Sequence, residues 1–190
     1  YKEQLAKNEA WKKKGLLGIL GSGFDPGVTN IYSAYARDHL FDKIETIDIL
    51  DCNGGSKDKK IKFAPNFDPE INLRELILPV EYWKNGKWVK RGRLIDEDAN
   101  YFEFNFGEAG IHTPYLMYHE EMETIPKHIP GLKQIRFWMT FNKNYLTYLR
   151  VLYELGLTRI DEVENNKKKV VPVKFLKKIL PKGEDFNKSY

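Results

Sequence analysis

Cysteine is nearly absent from this chain: Cys52 is the only one in 190 residues. A lone thiol cannot build a disulfide framework, and it leaves a zinc cluster without thiolate pairs. Histidine is scarce as well, with four, and a site built from His119, Glu120 and a distant histidine is too thin a basis for a metal; none is expected. Long apolar runs are missing. Nothing approaches the roughly 20 residues of a membrane span, and the opening stretch lacks a secretory signal's basic-then-apolar order. An excess of one charge is missing too, since 31 Lys and Arg against 27 Asp and Glu leave only +4. The short basic runs at 12–14, 57–60 and 167–169 read as solvated loops and helix faces. No nucleic-acid or membrane partner is expected, and the cytoplasm is the compartment this composition suits.

What is present is apolar and aromatic material, 42% and 14% of the residues. That suffices for one packed domain, or for one domain with a docking tail. The chain opens at Tyr1 inside "YKEQLAKNEAWKKKG", a polar helical stretch ending at Gly15, and so reads as a piece of a longer protein. "LLGIL" reads as a short buried strand. Asp25-Pro26-Gly27 reads as a helix start, with Asp25 at the N-cap and Pro26 at the first position, where its missing N–H costs nothing. Val28, Ile31, Tyr32, Tyr35 and Ala36 make that helix's apolar stripe.

Farther on, "IETIDIL" reads as a strand running into the loop "DCNGG", and "DPEINLRELIL" as a second Asp-Pro helix start. Asn85-Gly86 between Tyr82-Trp83-Lys84 and Lys87-Trp88-Val89 is a strong hairpin signal. "YFEFNF" and "PYLMYH" are expected strands, and "EEMETIPKHI" a short helix. "KQIRFWMTF" alternates, with Ile135, Phe137, Met139 and Phe141 on one face and Arg136, Trp138 and Thr140 on the other. "NYLTYLRVLYELG" is an amphipathic helix capped by Gly156. After the charged linker "DEVENNKKK", "VPVKFLKKILP" is a short helix expected to dock on something outside this chain. The sum is α+β: a mixed, partly antiparallel sheet with helices packed on it.

The glycine turn "GSGFDPG" at 21–27 raises the question of a dinucleotide loop. A strand precedes it, a helix follows, and Asp48 or Asp51 stands where a ribose-binding acid would. Against this, G-x-G-x-x-x-G is one residue longer than the fingerprint. Pro26 removes a backbone donor, and Asp25 places negative charge at the phosphate position. Two other readings stay open. The helix N-terminus can receive a substrate carboxylate as readily as a phosphate, or the turn merely joins strand to helix.

"GSGFDPGVTN", "DILDCNGG", "NFDPEINLRE", "YLMYHEE", "IPGLKQIRFWMTF" and "YLRVLYELGLTRID", in this order from about Trp11 to Pro181, resemble the saccharopine dehydrogenase-like family, in particular its carboxynorspermidine synthase branch. The resemblance implies an N-terminal Rossmann domain, absent here, that holds NADP(H), so that no cofactor-binding residue is expected in this chain. It makes 16–165 the central substrate-binding and dimerisation domain. Residues 1–15 are then a helix returning to the cofactor domain, and 166–190 a segment docking on it. The implied partners are a second copy of the chain, an amino-acid semialdehyde (L-aspartate β-semialdehyde) and a diamine (1,3-diaminopropane or putrescine). The implied reaction joins the two through an imine that NADPH reduces. A family member acting on lysine and a longer semialdehyde is one alternative; a non-catalytic dimerisation and binding module is another.

The same resemblance, read with the residues' chemistry, places the amino-acid end of the substrate at Gly23, Phe24, Asp25, Pro26, Gly27, Thr29 and Asn30, with Asp25 facing the ammonium. Asp51, Cys52, Asn53 and Gly54 form a strand-end loop near the substrate, and Cys52 is given no nucleophilic role. Arg74 can fork onto a carboxylate, or it is a solvated helix arginine. In the His119-Glu120-Glu121 cluster, His119 and Glu120 are candidates for proton transfer and Glu121 for holding the diamine. The plain alternative is a helix start carrying acids at its positive end. Adjacent glutamates point to different sides of a helix, so at most one of the pair faces a site.

Overall fold

A computed structural model describes residues 2–52, 63, 68–166 and 168–180. Its helices are α1 (Lys2–Leu5), α2 (Asn8–Lys13), α3 (Val28–His39), α4 (Pro69–Ile77), α5 (Glu121–His128), α6 (Lys143–Glu154) and α7 (Pro172–Ile179). Its strands are β1 (Thr46–Asp51), β2 (Pro79–Lys84), β3 (Lys87–Arg93), β4 (Phe104–Asn105), β5 (Ile111–His112), β6 (Pro114–Met117), β7 (Gln134–Thr140), β8 (Val163–Asn165) and β9 (Lys168–Val170). The order β1-β7-β2-β3, with β6 also on β7, forms the main sheet, and β4-β5 and β8-β9 are separate two-stranded ladders. The class is α+β with a partly antiparallel sheet, as the sequence implies. The chain forms two compact units: residues 1–49, 82–88 and 119–136, and residues 50–81, 89–118 and 137–190.

In the first unit, Trp83 pairs with Ile135 and Lys84 with Gln134, antiparallel. The hairpin tip at Asn85-Gly86 has φ of 49° and 79°, the positive pair a type I′ turn needs. The Glu45 carbonyl accepts from the N–H groups of Lys133 (2.7 Å) and Gln134 (3.2 Å). Arg136 forks onto Asp48 with both contacts at 2.7 Å. Beside the sheet, α3 packs on α5. Met122, Ile125, Ile129 and Ile135 are buried here.

In the second unit, β6 runs antiparallel to β7, from Pro114 opposite Thr140 to Met117 opposite Phe137. Leu73, Leu76, Phe137, Leu149, Val173 and Leu176 make its core. Asp68 caps α4 by accepting from the N–H groups of Glu70 (2.9 Å) and Ile71 (3.3 Å). Pro69 follows at the first helical position, as the Asp-Pro reading has it. Tyr145 donates its hydroxyl to buried Asn72, and burial pushes its phenol well above the usual value.

Four expectations are corrected. "LLGIL" forms no strand, and Leu17 is 88% exposed. The stripe of α3 is not buried either: Ile31, Tyr32 and Tyr35 are all more than half exposed. The linker at 161–169 contains the β8-β9 hairpin, turned at Asn166 with φ 50°. Within the chain α7 packs on α4, with Val173 and Leu176 buried and Lys177 bound to the Asp68 cap, while Phe175 and Ile179 stay exposed. "YFEFNF" forms strand only at Phe104–Asn105.

Candidate active site

The turn at 21–27 closes on itself. The Gly23 N–H donates to the Pro26 carbonyl (2.9 Å), Val28 N–H to Gly23 (3.1 Å) and Thr29 N–H to Phe24 (3.2 Å). The Gly27 N–H donates to the Asn30 side-chain oxygen at 3.1 Å. The cap of α3 is therefore Gly27, with Asn30 reaching back. Asp25 precedes it in a cis peptide bond to Pro26 and does not cap the helix. This changes what the turn can hold. The Val28 and Thr29 N–H groups, which an incoming anion would have used, already serve carbonyls of the turn.

Opposite the turn stands the first turn of α5. Thr29 donates its hydroxyl to Glu121 Oε1 at 2.7 Å. The other oxygen of that carboxylate accepts from His119 Nδ1. A carboxylate only accepts, so this bond puts the ring proton on Nδ1. Glu121 is fully buried, with 0% of its surface exposed. One residue along α3, Asn30 donates to Thr124 Oγ1 at 2.9 Å, and Thr124 donates to the Glu121 carbonyl at 3.2 Å. Nearer the α3 C-terminus, Arg37 donates to the His128 carbonyl at 2.7 Å. The two helices are thus joined at both ends.

Asp25 lies within the electrostatic reach of this pair. Burial raises its pKa above the ordinary carboxylate value, the proximity of His119 opposes that, and Glu121 adds to it. The sign follows directly. A carboxyl whose folded pKa is raised penalises the fold once ionised, so the penalty is present at neutral pH and disappears below the unfolded value near 3.8. Asp25→Asn should therefore raise the melting temperature at pH 7, with the gain vanishing as pH falls toward 4. Paired melting curves at the two pH values measure this. A variant that melts lower than the parent at pH 7 would contradict the assigned environment.

The remaining candidates are placed as follows. Gly23, Phe24, Asp25, Pro26, Gly27, Thr29, Asn30, His119, Glu120 and Glu121 belong to the first unit, and Asp51, Cys52 and Arg74 to the second. Within the first unit, hydrogen bonds bring Thr29 and Asn30 together with Glu121, Thr124 and His119. Glu120 is exposed, next to the buried Glu121. Arg74 is exposed on the last turn of α4, and Cys52 is partly buried just past β1. Asn53 and Gly54 lie outside the described residues. Thr124 escaped the sequence reading; its signal is the i+3 spacing from Glu121, which puts both on one face of α5.

Residues 23–190 match the saccharopine dehydrogenase C-terminal domain family. The chain belongs to that family. It is 45% identical, over its whole length, to a protein of Synechocystis sp. named carboxyaminopropylagmatine dehydrogenase, of which it covers 46%. It is 41% identical over 95% of its length to the carboxynorspermidine synthase of Vibrio alginolyticus and 39% identical to that of Vibrio cholerae, covering 42% of each. The chain thus spans less than half the length of these curated relatives. The fold resembles that of apo saccharopine dehydrogenase (L-Glu forming) from Saccharomyces cerevisiae, with a TM-score of 0.54, 16% identity, and coverage of 73% of this chain and 32% of that one.

A dinucleotide does not fit the glycine turn of this saccharopine dehydrogenase C-terminal domain. The N–H groups of Gly23, Gly27, Val28 and Thr29 are already bonded within it, and Pro26 has none. Among the described residues no three His, Cys, Asp or Glu side chains are grouped as metal ligands would be. Nor is any helix among them long and apolar enough to cross a membrane.

Proposed function

We propose that this chain is the substrate-binding part of a polyamine-biosynthetic dehydrogenase that reductively condenses L-aspartate β-semialdehyde with a diamine, giving carboxynorspermidine or carboxyspermidine. The observation that carries this reading is the 39–41% identity, across 95% of the chain, to two relatives named carboxynorspermidine synthase. The acidic character of the site supports it. Asp25 lies within electrostatic reach of His119, and a carboxylate there suits a cationic amine better than the second carboxylate of a longer acid. The reductant in this reading is NADP(H), held mainly by an N-terminal domain, and its chemistry is hydride delivery to the imine carbon.

In this scheme the residues here bind, orient and move protons. Asp25 and the 23–30 segment face the amino-acid end of the aldehyde. His119 moves the proton that accompanies loss of water from the carbinolamine. The assembly we propose is a homodimer in the cytoplasm.

A second reading has its own observation. The 45% relative is named for an agmatine derivative, so agmatine stands beside 1,3-diaminopropane and putrescine as the amine. NADPH oxidation by the full-length protein, supplied with aspartate β-semialdehyde and each amine in turn, tests all three. Turnover that requires one of these amines is the expected result. Turnover only with lysine and a longer semialdehyde would replace the polyamine reading with the saccharopine one.

A further inference from the structure

The carboxylate of Glu121 touches two groups, and both contacts matter for a histidine that must move protons. Its Oε2 accepts from His119 Nδ1, and its Oε1 accepts from the Thr29 hydroxyl at 2.7 Å. With 0% of its surface exposed, Glu121 is badly placed to grip a substrate ammonium. It is well placed to hold an imidazole. We propose that Glu121 and Thr29 are positioning residues for His119, fixing the ring in the tautomer with Nδ1 protonated and setting its proton affinity for the reaction. This assigns Glu121 a role other than substrate contact and gives exposed Glu120 none. It rests on the reading of His119 as the proton-transfer group.

The logic is that of a base oriented by a third group, itself held by a fourth. Neutral imidazole has two tautomers, and only the one with a bare Nε2 can accept a proton there. A buried carboxylate on Nδ1 selects it and stabilises the imidazolium formed when Nε2 takes a proton. Thr29 is on α3 and Glu121 on α5, so this bond, with the Asn30–Thr124 bond at 2.9 Å, ties the histidine to the helix that follows the glycine turn. The charged groups around His119 include Glu121 and, from the turn, Asp25. Glu123, next along α5, is ion-paired to Lys2 of α1 at 3.2 Å.

The test uses the full-length protein and two readouts. The first is the titration of His119 followed by histidine C2-hydrogen exchange and mass spectrometry, which needs no substrate. Glu121→Gln removes the charge but keeps the shape, and should lower the His119 midpoint by about one unit or more. The second is turnover against pH. His119→Gln should lower kcat by about 10²-fold or more. Glu121→Gln should lower kcat by roughly 10-fold or more and move the acid limb of the profile with the midpoint, leaving the amine KM unchanged. Thr29→Val should do the same more weakly, and Thr29→Ser, which keeps the hydroxyl, should restore parental values.

An unmoved midpoint, with a raised amine KM and unchanged kcat in Glu121→Gln, would overturn the proposal and make Glu121 a substrate contact. Wild-type kcat in His119→Gln would overturn it through the histidine. If no aldehyde–amine pair turns over but the midpoint still falls in Glu121→Gln, the pairing stands and the substrate assignment fails.

Discussion

Gly27→Ala is expected to cost about 3 kcal/mol or more, and to abolish most of the activity of the full-length protein. Gly27 has φ 146°, where a side chain is strained whatever the space around it, and here there is no space. An added Cβ would lie 2.0 Å from the Gly23 carbonyl oxygen and 2.7 Å from its nitrogen. These are backbone atoms of the same closed turn, so relief means opening the turn. Opening it breaks the Val28–Gly23 bond, frees the start of α3, and withdraws Thr29 from Glu121. Gly23→Ala is the control. Its Cβ would meet only the Pro26 carbonyl oxygen, at an ordinary 3.4 Å, so it should stay within about 1 kcal/mol of the parent. At about 2–4 °C per kcal/mol for a chain of this size, thermal unfolding should separate the two variants by roughly 4 °C or more. Equal melting temperatures would mean that the turn is not built around a close Gly23–Gly27 approach.

That turn also shows where sequence reasoning stops. At Asp68-Pro69 and at Asn85-Gly86 the reading holds because the deciding contacts lie within three residues, as an aspartate on nearby N–H groups or two positive φ values in a row. Asp25-Pro26 carries the same dipeptide as Asp68-Pro69, yet the cap moves two residues on to Gly27. The Gly23 carbonyl and the Asn30 side chain outcompete Asp25 for the donors. The dipeptide is identical and the backbone around it is not.

Periodicity has a related limit. It finds the stripe of α3 but not a partner for it, and Ile31, Tyr32 and Tyr35 remain exposed. The cluster His119-Glu120-Glu121 is visible as chemistry in the sequence. The burial of Glu121 beside an exposed Glu120 follows from contacts 92 and 94 residues away in the chain, through Thr29 and through Asn30. No local pattern carries those.

Phe137→Ala should be the costliest single truncation in the second unit, at about 3–5 kcal/mol. Phe137 has no exposed surface and sits in β7 opposite Met117 of β6. Removing its ring leaves a cavity that paired backbones on a strand ladder cannot easily close, so little of the lost contact is recovered by relaxation. The alternation in "KQIRFWMTF" anticipates this face. It also suggests that the other face is polar, and there the structure departs from it. Trp138 is 6% exposed and Thr140 5%, and the Trp138 ring meets Phe102 edge-on with centroids 4.8 Å apart. At this end β7 is covered on both sides, as a central strand is. Trp138→Ala should therefore also cost about 3 kcal/mol or more, whereas Phe104→Ala, at a 42% exposed position on β4, should cost about 1 kcal/mol. Chemical denaturation of the three variants measures the order directly. A Trp138 variant as stable as the Phe104 variant would mean that β7 has a single buried face, the arrangement the bare alternation implies.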